Sequence, residues 1–339
     1  MLNDLYEVID DLSDPPEEWG KPYFSQEQYY EPVELTKDNF TELKTGTSGR
    51  KVCCVDGGNN KIFESPSDSV HLIRIYFNLF EGEKRVENIE PFTALLTSKL
   101  TGEDIRAELR TVSGSIPLSR TEFFLKEDDL EEKKPVNAGH TIRKYLEWGV
   151  LRHAVEEYLE EGDIVVRDGV LQTTVESERK FADEAYRAVE QNDVALVGIA
   201  KTSSLMTTND YPLIASVQAL ARETDKDPWY YHPIAKNEHP DHKGEMYIVK
   251  YHPSSNYAFR TEFYREVEVD EEEVLAELAF QGKDPVFLGY PYGLVDADKK
   301  ARVTDEEIDY LKNMCDNKMK ESFRDKINTR NAHDRLSNI

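Results

Sequence analysis

Residues 139–169 read GHTIRKYLEWGVLRHAVEEYLEEGDIVVRDG, and this stretch decides the fold class. Ile142, Leu146, Val150 and Leu151 recur at helical spacing, as do Ala154, Val155 and Leu159, which predicts an amphipathic helix over 139–161. Gly162-Asp163 stops it, and Ile164-Val165-Val166 form a compact apolar strand ending at Arg167-Asp168-Gly169. The alternation continues with a helix over 176–191 and a buried strand at 194–200 that ends at Lys201-Thr202-Ser203. Upstream, the β-prone run 50–55 is broken by Asp56-Gly57-Gly58, a strand-to-turn signal, and SVHLIRIYFNLF at 69–80 is a long strand. Downstream, a helix around 211–223 precedes a strand at 246–251 with 257–268 as its partner, and helices follow near 271–280 and 304–321. Strands interleaved with helices make the chain α/β, and short turns between the early strands predict a mixed sheet.

Two segments are less regular. Residues 1–46, acidic and rich in turn formers, read as a helical and loop extension leading into one main domain over 47–339. Within 84–138 the pattern is mixed, with TEFFLKEDDLEEKK giving a short apolar element and then a solvated charge run.

Composition narrows the class. A hydrophobic content of 39% supports a real core, and no run approaches the roughly 18 apolar residues of a membrane helix. The acidic N-terminus lacks the basic start and apolar stretch of a signal peptide, so a cytoplasmic location is expected. Cys53, Cys54 and Cys315 form no CxxC pair and no even disulfide framework, and the first two read as small buried hydrophobes in a strand. The net charge of −25 repels nucleic acid at long range. Two readings stay open: a general surface adaptation around a local basic groove, or a substrate other than nucleic acid.

Three apolar strands end in a polar signature, at Asp56, at Asp168 and at Lys201. Functional groups concentrate at such strand ends, where a rigid backbone aims a side chain into a crevice. Each Asp-Gly alone is a plain turn; two after buried strands suggest carboxylates for a hard divalent cation. Glu147, on the helix before the Asp168 strand, is a natural third carboxylate, with a solvated helix glutamate as the alternative. Lys201 could neutralise charge on a phosphate or be a surface lysine. His252 closes another strand and could ligate a metal, shuttle a proton or be structural. Arg260, on the partner strand, could hold a phosphate. The stretch 228–242, with Trp229, Tyr230, Tyr231, His232, His239 and His242, leaves a zinc cluster, an aromatic platform for unpaired bases and a mobile loop open. No GxxxxGK[ST], GxSxG or HExxH occurs, which counts against P-loop ATPase, serine hydrolase and zinc protease chemistry.

Taken in order, VDGG at 55–58, IRKYLEWGVLRHAVE at 142–156, VVRDGVLQ at 165–172, GIAKTS at 198–203, VKYHP at 249–253, AFR at 258–260 and GYPYGLVDADKKARV at 289–303 resemble the NurA family of archaeal and bacterial nucleases. NAHDRLSNI at 331–339 is similar to the family's C-terminal tail. The resemblance implies a ribonuclease-H-like core and manganese dependence, with magnesium as the alternative metal. It implies a homodimer enclosing a DNA channel, with 5′ to 3′ exonuclease and single-strand endonuclease activity. A HerA-type hexameric helicase-translocase is the implied partner, in DNA end resection for double-strand-break repair and homologous recombination. By motif matching, Asp56, Glu147 and Asp168 become metal carboxylates, His252 a further metal ligand, Lys201 an active-site lysine that contacts DNA, and Arg260 a DNA contact. Two rival readings are a non-catalytic adaptor or regulatory subunit of such a helicase, and a metal phosphohydrolase acting on RNA or nucleotides.

Overall fold

The computed structural model describes residues 2–11, 16, 18–114, 121–316 and 318–327. Its main strands are β1 (Phe40–Glu42), β2 (Lys51–Glu64), β3 (Asp68–Glu81), β4 (Phe92–Thr101), β5 (Asp104–Ser113), β6 (Glu122–Leu125), β7 (Ile164–Asp168), β8 (Ala195–Ala200), β9 (Trp229–Tyr231), β10 (Gly244–Lys250) and β11 (Phe259–Tyr264). The helices are α1 (Leu2–Asp11), α2 (Ala138–Tyr158), α3 (Glu176–Asn192), α4 (Leu213–Ala221), α5 (Glu271–Gln281), α6 (Tyr292–Ala301) and α7 (Asp305–Asp316).

These eleven strands lie in one twelve-stranded sheet in the order β1-β9-β10-β11-β8-β7-β2-β3-β4-β5-β6, with the short strand Lys84–Arg85 paired to β3. The strands β2, β3 and β4 make an antiparallel meander, after which α2 carries the chain back so that β7 runs parallel to β2, and α3 delivers β8 parallel to β7. Counted in chain order from β2, these five strands stand third, second, first, fourth and fifth across the sheet. This is the ribonuclease-H-like arrangement, within an α/β fold whose sheet is mixed.

Side-chain parity explains why the sheet is covered twice. In β2, Cys53 and Val55 face the layer built from α2 and α3, while Val52 and Cys54 face α5 and α6. Strands β7 and β8 are buried on both faces, as parallel strands must be, and so read as unbroken apolar runs. Each aliphatic side chain fully buried there contributes about 1.5–3 kcal/mol. No helix among the described residues is long and apolar enough to cross a membrane.

Several local expectations need correction. Asp56-Gly57-Gly58 is not a turn: β2 continues to Glu64, with Asp56, Gly57 and Gly58 paired to Tyr76, Ile75 and Arg74. The glycines serve close approach. A Cβ on Gly57 would lie 2.6 Å from Glu147 Oε1, and one on Gly58 would lie 2.3 Å from the Ala301 carbonyl oxygen. Residues 92–113, read only as mixed sequence, form the β4–β5 hairpin, in which buried and exposed positions alternate along β5. The stretch 228–242 is neither a loose loop nor a zinc cluster. Trp229 and Tyr231 are buried in β9, and residues Ala235–Asn237 form a short strand against Tyr30–Pro32. His239 and His242 are buried and turned toward Gln26 and Tyr30. Residues 22–42 thus add short strands to the body of the fold. The similarity at 331–339 lies outside the described residues.

Candidate metal centre

Strands β2 and β7 lie side by side and parallel, so their carboxylates project from neighbouring positions on one face. Asp56 shares parity with Val52 and Cys54, and Asp168 shares parity with Ile164 and Val166, all of them on the α5–α6 side. Beyond Asp168 the backbone turns through Gly169 at φ +123°, where a side chain would be strained; the Gly169 N–H bonds Ile199 O at 2.8 Å. Here the glycine does what an Asp-Gly at a strand end suggests.

Helix α6 brings the third carboxylate, Asp298. It is seated on the strands by Asn78, whose amide donates to Gly293 O at 2.7 Å and to Asp296 at 2.8 Å, and by the Arg85–Asp296 ion pair at 2.8 Å. Gly293 allows the contact, since a Cβ there would lie 2.5 Å from Cys54 Sγ. Asp56, Asp168 and Asp298 are the three acidic groups among the described residues whose ligand atoms all lie within 4.8 Å of one another. Their side chains are 11%, 14% and 32% exposed, so a solute can reach them from one side.

Lys201, one residue past β8, reaches into this set. Its ammonium lies 2.5 Å from Asp168, 2.8 Å from Asp298 and 3.7 Å from Asp56. Burial alone would lower its pKa, but the three carboxylates outweigh burial and hold it above the usual lysine value. Asp56 moves the other way: burial, then Asp168 and Glu147, push its carboxyl up to about 8, against the opposing pull of Lys201 and the Gly57 N–H. Asp298 is held below the usual range, because Lys201 and Arg302 overcome its burial. The lysine therefore leaves the group short of positive charge. Hard carboxylate oxygens, in excess over the local cation, suit manganese or magnesium, so the donor set fits the implied metal.

Glu147 lies on the opposite side of the sheet, on α2, and is buried. Its carboxylate is ion-paired with Arg143 and with Arg167 at 3.4 Å, and Arg143 also donates to Gly57 O at 3.0 Å. Arg167 is fixed in turn by Val170 O at 2.7 Å and by the Trp148 ring at 4.4 Å. Glu147 thus reaches Asp56 electrostatically across the bare Gly57 but is not in the set of three. His252 is outside that set as well. It sits in the loop after β10, with Nδ1 accepting from the Ser254 N–H at 3.1 Å. Arg260 is spent internally on the fully buried Glu262, at 2.5 Å.

Two neighbours went unread in the sequence. Asp298 sits in DADKKAR, which resembles a solvated helix face, although Leu294 and Ala301 at helical spacing mark that face as the covered one. Tyr290 is buried, with an unpartnered hydroxyl, and its ring centroid lies 5.8 Å from Lys201 Nζ. Burial, then Asp168 and Asp56, hold its hydroxyl well above the ordinary tyrosine value.

Two predictions arise from this geometry. Gly58→Ala should cost about 1–3 kcal/mol in urea denaturation, because the Ala301 backbone must move. Metal affinity should fall in the same variant as α6 shifts, measured by calorimetry. Glu262 should support acid stability. Burial would raise its carboxyl, but Arg260, His242 and the Leu171 N–H hold it near about 2. A depressed pKa gives stability that is present above the unfolded value of 4.5 and lost as pH falls toward about 2. Glu262→Gln should flatten that part of the stability–pH curve, and an unchanged slope would show that Glu262 does not cause it.

No curated protein sequence matches the chain. Among solved structures, the NurA nuclease from Sulfolobus solfataricus is similar at 15% identity and a TM-score of 0.46, covering 94% of this chain and 95% of that one. An endonuclease V from Ciona intestinalis, in complex with an inosine-containing DNA, is similar at 13% identity and a TM-score of 0.39, covering 81% and 93%. An Argonaute from Kluyveromyces polysporus with a guide RNA gives 8% identity and a TM-score of 0.29, covering 73% and 26%. The family model of the NurA domain matches residues 50–303, a span that contains Asp56, Asp168, Lys201 and Asp298. On that match the chain belongs to the NurA family.

Proposed function

We propose that the chain is a metal-dependent DNA nuclease that hydrolyses phosphodiester bonds at Asp56, Asp168 and Asp298. The observation that carries this reading is the convergence of these carboxylates around the Lys201 ammonium, at the end of two parallel strands. When bound, a divalent cation there supplies Lewis-acid polarisation of a phosphoryl oxygen and acidification of water.

The chain's own groups account for the rest. Asp56, Asp168 and Asp298 would hold the cation; Glu147, locked by Arg143 and Arg167, adds to the raising of the Asp56 carboxyl from behind. Lys201 stays protonated and steadies the negative charge of the scissile phosphate. The Tyr290 hydroxyl, protonated and without a protein partner, is available to donate a hydrogen bond. His252 and Arg260 lie outside the group of three carboxylates.

Family membership supports the finer reading: manganese as the metal, a homodimer, 5′ to 3′ exonuclease and single-strand endonuclease activity, and action with a HerA-type helicase in end resection. The adaptor reading is less favoured, because an adaptor needs no cluster of carboxylates around a lysine. End-labelled DNA, RNA and nucleotides, each offered with manganese or magnesium and with chelator, test the proposal. Chelator-sensitive DNA cleavage supports it, and cleavage of RNA or nucleotides alone would replace it.

Metal should also stabilise the fold. At a hundredfold excess over Kd, manganese should add about 2.7 kcal/mol in thermal denaturation. Asp298→Asn should need more metal for the same shift; an unchanged dependence would remove Asp298 from the ligand set.

A further inference from the structure

Large apolar side chains at the surface are ordinary when scattered, but here two aromatic rings are stacked at the edge of the metal centre. Tyr257, in the loop between β10 and β11, is 57% exposed, and Phe287, in the loop before α6, is 41% exposed. Their centroids are 5.6 Å apart with planes inclined by 27°. Phe287 meets Tyr290 edge-on at 5.9 Å, and Tyr290 is the ring beside Lys201. A continuous run of rings thus leads from solvent to the carboxylates.

Each loop is braced by its own hydrogen bonds, and the two pack closely against each other. Ser255 Oγ accepts the Tyr257 N–H at 3.1 Å, and a Cβ on Gly289 would lie 2.5 Å from the Ser255 side chain. Gly289 N–H bonds Gly282 O at 2.7 Å, and Tyr290 N–H bonds Phe287 O at 3.2 Å. The backbone bonds set the loops, and the rings pack on each other and on Tyr290.

We propose that Tyr257 and Phe287 form a stacking platform for unpaired bases of single-stranded DNA whose scissile phosphate lies at Asp56, Asp168 and Asp298. The proposal rests on the nuclease reading of that site. Two considerations favour a base as the occupant. A stable protein interface buries about 800 Å² per partner, far more than two rings offer, whereas one or two bases match them. Long-range electrostatics also oppose DNA binding at a net charge of −25, which favours a contact whose strength does not depend on charge. Stacking on aromatic rings is such a contact, and it tolerates any base.

The test uses the full chain in chelator, with a fluorescent oligothymidylate and an abasic oligonucleotide of equal length. Wild type should bind the oligothymidylate about tenfold or more tightly than the abasic strand. The Tyr257→Ala/Phe287→Ala variant should lose that preference and bind both weakly. Phe287→Tyr should retain it, and the thermal midpoints should stay close to wild type. Hydrolysis of bis(p-nitrophenyl) phosphate with manganese, a diester without nucleobases, should be equal in wild type and the alanine variant. Equal binding of the two strands by wild type, or unchanged binding by the alanine variant, overturns the platform, as it would if the rings served a protein partner. Failure of wild type to cleave DNA with manganese would overturn the nuclease reading, while the binding comparison in chelator would still decide the platform.

Discussion

Asp56→Asn should abolish DNA cleavage, by about a thousandfold or more, and leave the metal-free chain at least as stable as wild type. The loss follows from removing the carboxylate that β2 delivers beside Asp168. The stability follows from the sign of the Asp56 shift. Its carboxyl is raised from 3.8 to about 8 by burial and by Asp168 and Glu147, so the native state resists its ionisation. Metal-free stability therefore falls as pH rises from 3.8 toward about 8, over which the unfolded chain ionises and the native chain does not. Asparagine, neutral throughout, should remove that decline. Cleavage assays and urea denaturation across this range check both halves. A variant that loses activity because it unfolds would contradict the account, as would one that keeps full activity.

Lys201→Met should separate binding from catalysis. Removing the ammonium takes away the cation that competes for Asp168, Asp298 and Asp56, so manganese should bind more tightly. Cleavage should nonetheless fall by about 10²–10³, because the phosphate loses a fixed positive group. Calorimetry and single-turnover cleavage on the same preparation read the two effects. If affinity and rate fall together, Lys201 is a structural cation and not a phosphate contact.

The sequence was informative where apolar runs end abruptly. Asp168 closes one buried strand and Lys201 follows another, and the polar residue after such an apolar run lies at a strand end. Asp56 was read at a turn, whereas it lies within a continuing strand. Its glycines signal a turn in sequence, yet inside β2 they leave room for Glu147 and the end of α6 to approach. Asp298 escaped notice because a half-covered helix face in an acidic chain looks like any solvated one. Arg260 has a partner that its sequence context did not suggest. A charged strand residue suggested phosphate, while Glu262 two positions on, and so on the same face, was its partner. The β4–β5 hairpin was legible but unread: Ile105, Ala107 and Leu109 alternate with charged outward residues, which is the period of two of a half-buried strand.

The most direct test is a manganese-soaked crystal read by anomalous scattering. The account predicts a peak bounded by Asp56, Asp168 and Asp298, absent from crystals of Asp56→Asn. A peak ligated by His252 and Glu147, with Asp298 still paired to Lys201 and Arg302, would contradict it.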